Sequence, residues 1–184
     1  GKTTVARIYA KALNCTEPKE FEPCGQCENC ISIRDGNNED VLEIDGASNT
    51  GVDDIRELKE SIGYAPQRGK FRIFIIDEVH MLSTSAFNAL LKTLEEPPKH
   101  VVFLFATTEV KKLPDTILGR CQTFYLKNLA HKTVVERLQW ICEQEDIKYE
   151  VAGLSLVAAE GEGSMRDALT FLDQVVALGD GHVS

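Results

Sequence analysis

The sequence predicts an α/β protein with a parallel sheet, followed by a small domain made of helices. Three features lead there. Strand-sized apolar runs alternate with helical patterns as far as about residue 127. One of those runs, residues 71–76, is apolar enough for a buried strand and ends on the paired carboxylates Asp77-Glu78. Beyond residue 127 only helical spacings remain.

Taken in order, Val5, Ile8, Tyr9 and Ala12 recur at helical spacing and predict a helix over 3–13, directly after a Gly-Lys-Thr. Residues 15–30 hold four cysteines. A short strand over 41–44 is followed by a helix over about 52–62, and then by the strand over 71–76. Ser83 caps a helix whose apolar face is Phe87, Leu90, Leu91 and Leu94 and which Pro97-Pro98 closes. Strands over 101–106 and 122–126 complete the α/β part. In the second part Val134, Leu138, Ile141 and Cys142 share one helical face. Ser164 with Asp167 makes a capping box for a last helix, whose face is Met165, Ala168, Leu169, Leu172, Val175 and Val176. The expected division is a core over 1–127, with a cysteine module at 15–30, and a helical domain over 128–184.

Composition narrows the function. The 184 residues, 43% hydrophobic and 27% charged, suit a soluble globular chain with one well-buried core. No apolar run is long enough to span a bilayer, and Lys2, Arg7 and Lys11 stand where a secretory signal would need an apolar stretch. The net charge of −9 argues against a general nucleic-acid binder, since phosphate binding needs clustered Lys and Arg. DNA contact is expected only through a local basic patch or partner subunits.

Gly1-Lys2-Thr3-Thr4 matches the last residues of G-x-x-x-x-G-K-[ST]. In that loop backbone N–H groups and a helix N-terminus wrap phosphates, the Lys neutralises them and the hydroxyl ligates Mg²⁺. The chain opens on Gly rather than Met and is expected to begin inside this motif. Three residues recur by chance, so the second half of the signal matters. At the carboxyl end of its strand Asp77 can hold Mg²⁺ through water while Glu78 polarises an attacking water. Thr107-Thr108 ends the following strand and sets a hydroxyl beside the phosphates. Arg166 opens the last helix, where a cation opposes the helix dipole and so points to a functional reason.

Cys15, Cys24, Cys27 and Cys30 form C-x8-C-x2-C-x2-C, a set suited to a structural, tetrahedral Zn²⁺. An iron–sulfur cluster is the rival, although Arg34 stands where a ferredoxin-type run has its fourth cysteine. Cys121 and Cys142 sit on apolar patterns and read as buried thiols.

These motifs together resemble one family. Gly1-Lys2-Thr3-Thr4, the four-cysteine module, the 45–52 string Asp-Gly-Ala-Ser-Asn-Thr-Gly-Val and the 76–83 string Ile-Asp-Glu-Val-His-Met-Leu-Ser are similar to those of the gamma/tau clamp-loader subunits of bacterial DNA polymerase III, which are AAA+ P-loop ATPases. So is the 87–98 string Phe-Asn-Ala-Leu-Leu-Lys-Thr-Leu-Glu-Glu-Pro-Pro, and the resemblance covers essentially the whole chain.

The resemblance implies an AAA+ core with an inserted zinc module and a helical lid, and an ATPase motor that loads the sliding clamp onto primed DNA during replication. It implies that Gly1, Lys2, Thr3, Thr4 and Asp77 bind nucleotide, with Thr3 and Asp77 on Mg²⁺, and that Glu78 is the catalytic base. Thr108 resembles the first sensor and Arg166 the lid arginine of the second. Arg120 resembles the arginine that reaches a neighbouring subunit's ATP, although Gly119 replaces the usual Ser before it. The implied cofactors are ATP, Mg²⁺ and structural Zn²⁺. The implied partners are the delta and delta-prime subunits, further gamma/tau copies, the sliding clamp and primer–template DNA, in a cytoplasmic, nucleoid-associated replisome with no membrane contact. The chain is expected to lack the strand and glycine-rich residues before Gly1 and the C-terminal collar domain, and by itself neither to bind ATP well nor to form the ring. Two other readings are a non-hydrolysing scaffold similar to delta-prime, and a free-standing zinc-dependent interaction module.

Overall fold

Four consecutive apolar side chains leave the strand β2 (Arg72–Asp77) without a polar face, so both of its sides have to be covered. In the computed structural model, which describes residues 1–48, 58, 60–179 and 181–183, this strand is central in a parallel three-stranded sheet. It lies between β1 (Val41–Asp45) and β3 (Val101–Phe105), with Asp45 in register with Asp77 and Ile76 with Phe105. Ile73, Phe74, Ile75 and Ile76 are each 0% exposed. Full burial of such side chains contributes roughly 1.5–3 kcal/mol apiece, and for four that is comparable to the net stability of a whole domain.

Alternation along β2 divides the core in two. Phe74 and Ile76 face a cluster containing Val79, Leu82, Ala86, Phe87 and Leu90, the last three from the helix α3 (Thr84–Glu95). Leu91 and Leu94 pack at its margin, and the Ser83 hydroxyl caps the helix by accepting from the Ala86 N–H at 3.2 Å. Ile73 and Ile75 face Ala10 of α1 (Lys2–Asn14) and Ile33 of α2 (Glu28–Asp35). The greater part of the helix expected over 52–62 lies outside the described residues, of which Leu58 and residues 60–62 are helical.

The orientation of α1 differs from what its apolar stripe suggests. Ala6, Ala10 and Leu13 meet the sheet, while Val5, Ile8 and Tyr9 are about half exposed. Polar anchors set this rotation. Thr3 binds Asp77 and Asn14 binds the strand entrance at Phe71, so both ends of the helix are tied to β2. Arg7 makes a two-pronged pair with Glu43 of β1 at 2.6 and 2.7 Å, and the small alanine face then lets the helix approach closely.

A second difference concerns 122–126, which forms no strand. Phe124, Tyr125 and Leu126 are 74%, 77% and 55% exposed. Their aromatic and apolar side chains suit a strand, but a strand exists only where a neighbour accepts its backbone hydrogen bonds, and no described residue does so here. Between β3 and this segment lie the short helix α4 (Asp115–Leu118) and a 3₁₀ turn, Val110–Lys112.

The chain divides into two compact units, Gly1–Phe124 and Tyr125–Ser184. The second packs α5 (His131–Gln144), α6 (Val151–Glu160) and α7 (Met165–Leu178) around Val134, Leu138, Cys142, Leu154, Ala168 and Leu172. The Ser164 hydroxyl accepts from the Asp167 N–H at 3.4 Å, one half of the expected capping box, while the Ser164 N–H donates to the Gly161 carbonyl at 2.7 Å instead of to Asp167. Strands do not vanish entirely in this unit, because β4 (Lys148–Tyr149) and β5 (His182–Val183) form a two-residue parallel pair. Such a pair is too short to leave a period in the sequence. Gly163 must be glycine here: its φ is +80°, and an added Cβ would stand 2.8 Å from the Leu129 carbonyl oxygen. No helix among the described residues is long and apolar enough to cross a membrane.

One buried carboxylate ties a loop to the sheet. Asp40, 1% exposed, accepts the N–H groups of Gln67, Arg68 and Gly69, each at 2.7 Å. Burial alone would raise its pKa, but the three donors outweigh burial and hold it below the ordinary value. Its contribution to stability is therefore complete above an unfolded pKa of about 3.9 and is lost as pH falls through the lower native value. Asp40→Ala, which strands three N–H groups, is expected to cost about 3 kcal/mol in urea melts at pH 7. The difference from wild type should shrink as the pH falls below the ordinary carboxylate range.

Candidate functional site

Parallel strands bring their carboxyl ends to one edge of a sheet, and there the polar residues of this unit gather. Asp77 ends β2 beside the first turn of α1. The Thr3 hydroxyl donates to Asp77 Oδ2 at 2.5 Å, and Asp77 Oδ1 accepts from the Glu78 N–H at 3.0 Å. Lys2 Nζ stands 3.8 Å from Glu78 Oε1, with both side chains about one-third exposed. From the end of β3, Thr108 gives Glu78 Oε2 its hydroxyl at 3.0 Å and its N–H at 3.3 Å. Lys2, Thr3, Asp77, Glu78 and Thr108, expected from separate motifs, thus form one connected group. Gly1 is the N-cap of α1 and Thr4 lies exposed in its first turn.

The backbone at this edge is under tension. Glu78 has φ 43° and ψ 45°, a left-handed conformation that costs a non-glycine residue roughly 1–2 kcal/mol. Strain of this kind persists where surrounding contacts enforce it. One of those contacts is Gly46, after β1, whose N–H donates to the Asp77 carbonyl at 2.8 Å. A Cβ on Gly46 would come within 2.7 Å of the Glu78 carbonyl oxygen and 2.9 Å of that of Asp77.

His80 belongs to this group although its residue type alone did not reveal it. Its side chain is 6% exposed, and Nδ1 lies 2.9 Å from Thr107 Oγ1 and 3.3 Å from Glu78 Oε2. Nε2 faces Glu109 Oε1 at 3.4 Å, and that carboxylate is also bonded to Lys112 at 2.7 Å. Thr107 itself accepts the Glu109 N–H at 2.9 Å, so it closes the end of β3. The available signal was a single titratable residue inside the apolar run Val79, Met81, Leu82.

The two expected arginines each have their own surroundings. Arg120 gives its guanidinium to the Thr116 carbonyl at 2.6 Å and to Glu95 Oε1 at 2.7 Å. Arg166 is exposed in the first turn of α7, in the second unit.

The four cysteines do meet. The Sγ atoms of Cys15, Cys24, Cys27 and Cys30 lie within 4.8 Å of one another, those of Cys15 and Cys27 at 3.9 Å. A tetrahedral Zn²⁺ with Zn–S bonds of about 2.3 Å sets its sulfurs about 3.8 Å apart, so the cluster fits the ion. Backbone N–H groups of Cys24 and Cys27 point at sulfurs, at 3.3 and 3.2 Å, as they do toward bound thiolates. Burial opposes ionisation of Cys27, but donors from Thr16 and Cys30 outweigh it and bring its pKa down to about 6. Burial, reinforced by the neighbouring thiols, pushes Cys30 up to about 12. Ionising one of these neighbours opposes ionising the other, a conflict that a bound cation removes. Cys142 is fully buried and Cys121 partly so, and burial raises the pKa of both thiols.

Residues 1–130 match the family described as DNA polymerase III, delta subunit, and residues 133–181 match the DNA polymerase III clamp loader subunit, ATPase lid domain. The chain is 53% identical over 184 residues to the DNA polymerase III subunit tau of Escherichia coli, covering all of the chain and 29% of that protein. It is 48% identical over 177 residues to the Bacillus subtilis tau subunit, covering 96% of the chain and 31% of the relative. With a Buchnera aphidicola gamma subunit it shares 47% over its whole length and half of the relative's. The chain thus spans half or less of these proteins. Among solved structures, the Thermotoga maritima RuvB Holliday junction branch migration motor aligns with a TM-score of 0.64 at 16% identity, over 85% of this chain and 52% of that one. A gamma subunit-related protein from Thermotoga maritima aligns at 0.51 and 24%, over 86% and 57%. The fold is of the AAA+ P-loop type.

Two outcomes follow from the geometry. Gly46→Ala is expected to lower stability by about 1–3 kcal/mol, because the added methyl meets backbone rather than a yielding side chain. An unchanged urea midpoint would mean that the turn after β1 gives way without cost. Elemental analysis should find one equivalent of zinc per chain, lost together with thermal stability in Cys27→Ser. Iron with visible absorption would instead assign a cluster.

Proposed function

The chain belongs to the clamp-loader subunit family of bacterial DNA polymerase III, with tau and gamma subunits among its relatives, and from that premise we propose that it carries the ATP-hydrolysing motor of such a subunit. The observation that supports the reading most directly is the convergence of Lys2, Thr3, Asp77, Glu78 and Thr108 at one edge of the sheet. A phosphate-binding helix terminus, an acidic strand end and a hydroxyl from the next strand are what γ-phosphate hydrolysis requires.

In the proposed reaction water attacks the γ-phosphorus, the bond to the bridging oxygen breaks, and ADP leaves with the electron pair. Glu78 orients the water and takes its proton. Lys2 neutralises phosphate oxygens, and Gly1 and Thr4 flank it at the helix N-terminus. Thr3 and Asp77 are the hydroxyl and carboxylate that would hold Mg²⁺, whose charge when bound draws electron density from the phosphates. Thr108 keeps the Glu78 carboxylate aligned from the neighbouring strand.

Two arginines complete the scheme. Arg120 would serve a neighbouring subunit's ATP, after leaving its contacts with Glu95 and Thr116, and Arg166 would act from the lid. The motor would use ATP to load the sliding clamp onto primed DNA in the cytoplasmic replisome, with delta, delta-prime and further gamma/tau copies as partners. The charge of −9 supports DNA contact only within an assembled ring. The zinc module at Cys15, Cys24, Cys27 and Cys30 would be structural.

A non-hydrolysing scaffold is the second reading, favoured by the description of the family matched over 1–130, which names the delta subunit. Hydrolysis separates the two. ATP turnover by the full-length protein, assembled with partner subunits, clamp and primed DNA, is expected to exceed that of Glu78→Gln by about 10²–10⁴-fold. Turnover no greater than in that variant would leave the scaffold.

A further inference from the structure

Glu78 is held by more than the strand-end hydroxyl. Its Oε2 takes two donors from Thr108 on one side, and on another faces His80 Nδ1 at 3.3 Å. The same nitrogen lies 2.9 Å from Thr107 Oγ1, and the imidazole is nearly buried. The left-handed backbone at Glu78 fixes where the side chain starts but not where its carboxylate ends, and without contacts a partly exposed carboxylate would wander among rotamers. His80 supplies that restraint from a rigid place, the 3₁₀ turn Val79–Met81, whose Val79 N–H is bonded to the Ala106 carbonyl at 3.0 Å.

We propose that His80 is a positioning residue for Glu78, using Nδ1 to tie the carboxylate and the Thr107 hydroxyl into one unit. The proposal rests on the reading of Glu78 as the hydrolytic base. An ionised carboxylate only accepts hydrogen bonds, so the arrangement works with a proton on Nδ1. Nε2 is not the operative atom: it faces Glu109, whereas Nδ1 is the ring nitrogen that approaches Glu78. His80 touches neither water nor phosphate in this scheme and acts only through Glu78.

This division between the two ring nitrogens sets the test. An Asn amide nitrogen reaches the place of Nδ1, whereas a Gln amide nitrogen reaches that of Nε2. ATP turnover would be measured for wild type, Glu78→Gln, His80→Asn, His80→Gln and His80→Ala in the full-length protein assembled with its partner subunits. Binding of a fluorescent ATP analogue would be measured alongside. His80→Asn should keep kcat within a few-fold of wild type. His80→Gln and His80→Ala should lose roughly ten- to a hundredfold in kcat, the scale expected when a reacting group is misplaced. KM and analogue binding should stay near wild type in all three. Unchanged kcat in His80→Gln and His80→Ala, or equal losses in all three variants, would overturn the positioning role while leaving the ATPase reading intact. Wild-type turnover no greater than that of Glu78→Gln would overturn both.

Discussion

Between Ile73 and Ile76 no side chain of β2 reaches solvent, and this double burial shapes the whole first unit. A strand covered on both faces can place polar groups only at its ends. Its entrance is taken by structural polar contacts: Asn14 bonds to the backbone of Lys70 and Phe71, and Asp40 secures 67–69 just before them. Chemistry is left to the exit. Because the three strands run parallel, their exits coincide, and residues far apart in the chain become neighbours there.

At that edge the charged and hydroxyl groups hold one another. Asp77 is occupied by Thr3 and by the N–H of Glu78, and Glu78 by Lys2, Thr108 and His80. Paired groups of opposite charge keep their places without the cost of an isolated buried ion. They also remain exchangeable, since Lys2 and Glu78 are partly exposed and their separation of 3.8 Å makes a weak pair. Rigidity comes from the backbone instead, through the left-handed turn at Glu78 and the close approach of Gly46 beneath it.

The cysteine module follows a different logic. Residues 16–23 are polar and carry Phe21 at 94% exposure, so they have little apolar surface to bury. Four sulfurs drawn together are placed to take a metal ion, which when bound would supply the crosslink that a core would otherwise provide. The module is joined to the sheet through buried amides: Asn29 bonds to the Asn14 carbonyl at 2.8 Å, and Asn14 in turn to Phe71.

Features that depend on residues near one another in the chain were legible in the sequence by itself. The alternating α/β order, the Ser83 cap, the spacing of four cysteines, and the Lys2-Thr3 and Asp77-Glu78 pairs all rest on local periodicity or short-range hydrogen bonding. The helix α6 left no signal because Val151–Glu160 is apolar nearly all round and has no stripe. Tertiary structure decided the rest. It turned α1 so that alanines rather than Val5, Ile8 and Tyr9 meet the sheet, because its polar anchors lie on β2. It left 122–126 without a strand and paired Lys148–Tyr149 with His182–Val183, since strands exist only through a partner. It also brought Thr108 onto Glu78, a contact between the ends of two strands that no spacing along the chain encodes.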